Sequence, residues 1–175
     1  MKNERIKNLT LTALFVALVV IGSRIYIGTH DSFRFHLGNV MCLLASFILS
    51  PINAGLAAGL GSMIFDLLFY PTGLACIVTF ITKFAMSFVA SFIFHKVNNR
   101  EHETVIAIVA GSFGEIVYII LYGIKTFIER RYIMSMSIDV VMPILFAKMA
   151  ASLVNAIIAI ILSTLLYKLI KKIKL

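Results

Sequence analysis

Four ionisable residues stand where the surrounding sequence is almost wholly apolar: Asp66, Lys83, Glu115 and Lys148. Such a group costs about 2.5 to 3.5 kcal/mol at the centre of a membrane helix, so it faces a partner or a water-filled cavity. Counted at helical rise from the ends of their segments, all four lie roughly 6 to 13 Å deep, at a broadly similar level. Their charges sum to zero. Three chemistries are open to them. They can close on one another as a structural network, Asp66 with Lys83 and Glu115 with Lys148. They can line a pocket that grips a small polar ligand. They can also relay protons. Further polar groups converge on the same level. His36, Asn39 and Arg34 stand where one apolar run begins, and Tyr70 ends another. Glu115, Tyr118 and Tyr122 recur at helical spacing on one face. Aromatic faces with hydrogen-bonding tips suit a heteroaromatic ligand. The alternatives are an interfacial aromatic belt for Tyr70 and Tyr122 and a solvated loop position for His36.

These residues make no catalytic set. No nucleophile motif surrounds a serine or cysteine, and no histidine or cysteine pair has metal-ligand spacing. A phosphate-binding glycine loop is also absent from the sequence. The expectation is a protein that is not an enzyme, holds no metal or cofactor, and depends on another chain for any ATP hydrolysis.

The elements that must position the four charges follow from composition. Of the 175 residues, 61% are hydrophobic and only 14% are charged, against roughly 25% in soluble domains. The mean hydropathy is +1.00. These figures exclude a water-soluble domain and a disordered chain. The net charge is +8, but the basic residues are scattered between apolar runs, which argues against nucleic acid as a partner. A spanning helix takes about 20 apolar residues. The expected fold is therefore all-α: an integral membrane six-helix bundle forming one unit over residues 1–175. The spans are expected at residues 9–28, 37–49, 52–70, 74–95, 104–124 and 140–167. The second is short and ends at Ser50-Pro51, because proline disfavours a helical residue before it.

Six spans put both ends of the chain on one side, with Lys2, Arg5, Lys7, Lys96, Arg100, Lys168, Lys171, Lys172 and Lys174. Arg24, Arg34, Lys125, Arg130 and Arg131 fall opposite. Lysine and arginine favour the cytoplasmic side, so both termini are expected to be cytoplasmic. The apolar run after Lys7 is long and lacks a cleavage site, so it reads as a span and not a signal peptide. Cys42 and Cys76 read as buried thiols. No internal repeat is evident, which argues against an inverted-repeat transporter. Gly55, Gly59 and Gly61 suit close helix–helix packing. Ala13 and Ala17, four apart in the first span, suit either such packing or a partner-docking face.

The order of these features resembles the substrate-binding S component of energy-coupling factor (ECF) vitamin transporters. The likeness is strongest from Phe35 to Lys96. It includes Phe35-His-Leu-Gly-Asn39, the stretch from Leu49 to Asp66 with its glycines, Tyr70-Pro71, and Thr79-Phe-Ile-Thr-Lys83. That order is similar to the branch holding pyridoxine- and hydroxymethylpyrimidine-type S components, in which Asp often stands where this chain has Asn39. The resemblance implies a subunit of the bacterial plasma membrane that binds a small vitamin from outside. It implies assembly with a membrane T component and two cytoplasmic ATPases, docking through Ala13 and Ala17, and delivery by toppling of the whole subunit in the lipid. The expected substrate-binding set is His36, Asn39, Asp66, Lys83, Glu115, Tyr118, Tyr122 and Lys148. Vitamin B6, as pyridoxine or pyridoxal, ranks first as ligand. Hydroxymethylpyrimidine would use nearly the same groups, and riboflavin would need a larger, more apolar cleft. A self-sufficient proton-coupled transporter, with Asp66 and Glu115 as carriers, is the rival reading, and a carboxylate-using membrane enzyme a weaker one.

Overall fold

The computed structural model describes residues 2–29, 33–70, 73–97 and 101–173. Pro71, Arg100 and Lys174, named above, lie outside the described residues, as do the side chains of Lys2 and Arg34. Helix α1 spans Lys2–Arg24, α2 Gly38–Ile48, α3 Pro51–Phe69, α4 Gly73–Val97, α5 Glu103–Ile128 and α6 Ile138–Ile173. Between α1 and α2, strands β1 (Tyr26–Thr29) and β2 (Phe33–His36) form an antiparallel hairpin that pairs Tyr26 with His36. The span expected at residues 9–28 thus ends as a helix at Arg24, and the chain goes on as a strand. The all-helical six-helix fold otherwise stands.

Five of the helices are long and apolar enough to cross a membrane; α2, with 11 residues, is not. At helical rise it is roughly 16 Å long, about half the hydrocarbon thickness. Its second-span reading is corrected accordingly. Almost every residue of α2 from Gly38 to Phe47 is buried. A rod wrapped by its neighbours meets no lipid, so its length need not match the bilayer. Side chains such as Ile21, Leu68, Phe113, Ile157 and Ile161 are exposed around it, the arrangement expected of a lipid-facing shell.

The break after α2 is local chemistry. Leu49 and Ser50 are extended (ψ 155° and 156°), and Pro51 opens α3 in its first turn, where its missing N–H is harmless. The carbonyl of Leu49, left without a helical partner, accepts from Ser91 Oγ (2.8 Å) and meets His95 Nε2 at 2.9 Å. The chain then turns back, so α3 runs antiparallel to α2. Its glycines set the spacing. A Cβ on Gly55 or Gly59 would stand 2.8 Å from the rings of Phe84 and Phe80, and one on Gly61 would stand 2.8 Å from the backbone oxygen of Val16. One glycine face thus seats α4 and the other α1.

Two buried clusters result. One joins α2, α4, α5 and α6 around Leu43, Met86, Ala107 and Ala159; the other joins α1, α2 and α3 around Phe15, Leu44 and Ala57. At the end of the bundle nearest the chain termini, Glu103 ties α5 to α6. Its carboxylate accepts from Tyr167 Oη (2.7 Å) and from Lys171. At the opposite end α5 continues past the expected boundary at residue 124, supported by the Lys125–Glu129 pair (3.8 Å). A π-helical turn, Glu129–Ile133, and a left-handed Ser135 (φ 53°) then lead into α6.

Candidate functional site: a polar cavity at one end of the bundle

A cavity of about 310 Å³ opens at the end away from the chain termini. That volume is at the small end of ligand pockets. Each long helix beside it contributes residues at helical spacing. Ser62 and Asp66 come from α3, flanking Phe65; Thr79 and Lys83 from α4; Tyr118, Tyr122, Lys125 and Glu129 from α5; Lys148, Ser152 and Asn155 from α6. Ser23, near the end of α1, and His36, at the end of β2, complete the wall. Small side chains at Ala75 and Ala151 leave the space between them open.

The hairpin is anchored at this rim. His36 Nδ1 accepts from the backbone N–H of Gly38 (3.1 Å). A Cβ at Gly38 would lie 2.4 Å from Ser23 Oγ and 2.7 Å from His36 Nδ1, so any larger residue there would push aside the side chains of Ser23 and His36. Arg24 packs its guanidinium over the rings of Tyr26 and Phe69, 5.8 and 5.3 Å from their centroids. Such contacts hold the ends of α1 and α3 together by cation–π attraction.

Of the residues expected to bind substrate, His36, Asp66, Lys83, Tyr118, Tyr122 and Lys148 all line this cavity. Asn39 and Glu115 do not. They are buried beneath it, at 0% and 1% exposure. Asn39 Nδ2 donates to both oxygens of Glu115 (3.1 and 3.2 Å), and its Oδ1 accepts from Lys83. A neutral amide on α2 thus stands between the ammonium on α4 and the carboxylate on α5, a link that the pairing of charges alone did not include. Lys83 Nζ also lies 3.5 Å from the centroid of the Tyr118 ring, and Tyr118 stacks on Tyr122 (5.7 Å, 24°).

Sequence reasoning missed Ser62, Thr79, Ser152, Asn155, Lys125 and Glu129 as wall residues. A signal was present for most. Ser62 precedes Asp66 by four, Thr79 precedes Lys83 by four, and Ser152 and Asn155 follow Lys148 by four and seven. Residues so spaced share a helix face.

Residues 3–172 match the model of a family described as ECF-type riboflavin transporter, S component. The chain belongs to that family. It is therefore a membrane protein and a transport subunit, not an enzyme. Among solved structures, this S component resembles the S component of a bacterial ECF transporter, with a TM-score of 0.74 over 97% of this chain and 98% of that one, at 17% sequence identity. At that identity the likeness speaks for the fold. Among curated proteins, no sequence matches this S component.

Proposed function

We propose that this S component takes a hydroxylated heteroaromatic vitamin into the cavity from outside the bacterial plasma membrane. It would deliver the vitamin in complex with a T component and two cytoplasmic ATPases. One observation carries the reading: a cavity walled by hydrogen-bonding and aromatic side chains from four helices lies at the end away from both termini. The lysines near the termini favour a cytoplasmic position for that end, which turns the cavity outward. Ala13 and Ala17 are exposed on α1, as a docking face for the T component requires.

Riboflavin is the first ligand to test, because the family description names it. The B6 forms, ranked first on sequence alone, are the second. Apart from Phe65, Ala75 and Ala151, every side chain named above carries a polar atom, which suits the hydroxyls and ring nitrogen of a pyridine as it suits the carbonyls and ribityl hydroxyls of riboflavin. Titration of the purified protein with riboflavin, pyridoxal, pyridoxine and hydroxymethylpyrimidine decides. A sub-micromolar dissociation constant for one of them, without ATP, is expected. Failure of all four would overturn the reading, and proton-driven uptake by the chain alone in liposomes would favour its rival.

A further inference from the structure

We infer that Asn39 and Glu115 are positioning residues: they touch no ligand, and they fix Lys83 so that its ammonium presents an N–H to an acceptor atom of the bound molecule. The inference rests on the vitamin-binding reading above and adds the polarity of the atom that the site reads.

The geometry has three parts. The Asn39 amide is held from both sides. Its Nδ2 donates to Glu115 at 3.1 and 3.2 Å, and its Oδ1 accepts from Lys83. An amide turned the other way would set its N–H groups against an ammonium and its oxygen against a carboxylate, so one orientation alone satisfies both neighbours. Glu115 therefore acts on Lys83 through Asn39.

The ammonium, in turn, has three N–H donors. One serves Asn39, and the face of Tyr118, 3.5 Å away at its centroid, occupies a second direction. Lys83 is only 5% exposed, yet it forms part of the cavity wall. Its remaining donor direction is the cavity. A ligand atom there must accept a hydrogen bond: a carbonyl oxygen, a phenolate or an unprotonated ring nitrogen.

The same contact closes part of Tyr118. The face of its ring toward Lys83 is taken, so a flat ligand cannot stack on it. Stacking then falls to Tyr122, which also lines the cavity.

A double-mutant cycle tests this, with riboflavin and pyridoxal as the titrated probes. Lys83→Met is expected to weaken binding by about tenfold or more, the loss of one hydrogen bond to a charged group. Glu115→Gln, which keeps the shape and removes the charge, should weaken binding by a similar factor when Lys83 is present. In the Lys83→Met background it should change nothing further, because its effect passes through the missing ammonium. If Glu115→Gln weakens binding equally in both backgrounds, Glu115 acts independently of Lys83 and the inference is overturned. The same holds if it has no effect in either. Should Glu115→Gln fail to fold, Asn39→Ser completes the same cycle. Failure of the unaltered protein to bind any of the four vitamins would overturn the functional reading and this inference with it, whereas normal binding with an additive cycle overturns the inference alone.

Discussion

Asn39 has no charge of its own, yet it stands between two that do. Replacing it with leucine removes the acceptor facing Lys83 and the donor facing Glu115 in one step, at positions 5% and 1% exposed. Breaking a buried charged link in this way costs about 3–5 kcal/mol, so Asn39→Leu should unfold far more readily than the parent. Cys42 and Cys76 are buried free thiols, and their labelling by a thiol-reactive dye during heating in detergent reads the change directly. An unchanged transition would mean that the amide bridge contributes little. Much of this site was legible from single residues, because an ionisable side chain in an apolar run is costly enough to demand an explanation. What could not be read was the division of roles. Glu115 and Tyr118 share one face of α5, but Tyr118 reaches the cavity while Glu115 turns under it. Depth along a helix says nothing about which neighbour lies across from a given side chain. Asn39, on the central helix, is that neighbour.

Helices in this bundle are spaced by glycine, and the glycines are not equivalent. A Cβ at Gly114 would stand 2.7 Å from the backbone oxygen of Met86, whereas at Gly111 its nearest contact would be 3.4 Å, to a side-chain carbon of Ile160. Gly114→Ala must push α5 away from α4 and should destabilise the protein by about 1–3 kcal/mol. Gly111→Ala, with room for the methyl group, should be near neutral or gain up to about 1 kcal/mol from helix propensity. Thermal unfolding of the two variants in the same detergent separates them, and equal transitions would contradict the packing described. The sequence suggested that the glycines of α3 pack helices, and they do. It could not say that Gly55 and Gly59 face α4 while Gly61 faces α1, since that depends on how α3 is rotated. The short α2 was also visible, as a run cut off at Pro51. Its central burial was not, because a fully apolar helix looks the same whether lipid or protein surrounds it. The hairpin was missed because strands of four residues carry too little alternation to stand out.

The whole molecule presents different surfaces at its two ends and on its flank. Ala13 and Ala17 are exposed on α1, well below the cavity wall. If they form the docking face for the T component, Ala13→Leu with Ala17→Leu should abolish copurification of that partner and leave the vitamin dissociation constant unchanged. Copurification that survives both substitutions would remove the face from consideration. Loss of vitamin binding would show instead that the two ends are coupled. The termini should share the cytoplasmic side, so tags on both ends of the chain should resist protease added to intact spheroplasts and be cut only after lysis.

Below the cavity the described residues pack closely. Asn39 and Glu115 close its floor, Cys42, Leu43, Met86, Ala107, Ala110 and Ala159 pack the middle at 0% exposure, and the carboxylate of Glu103 clasps Tyr167 and Lys171 at the far end. Among the described residues the protein is thus shaped as a cup with a packed base. If the vitamin enters this cavity, it leaves by the lip over which it came, and a vesicle studded with this subunit alone should then hold its ion gradients as tightly as bare lipid.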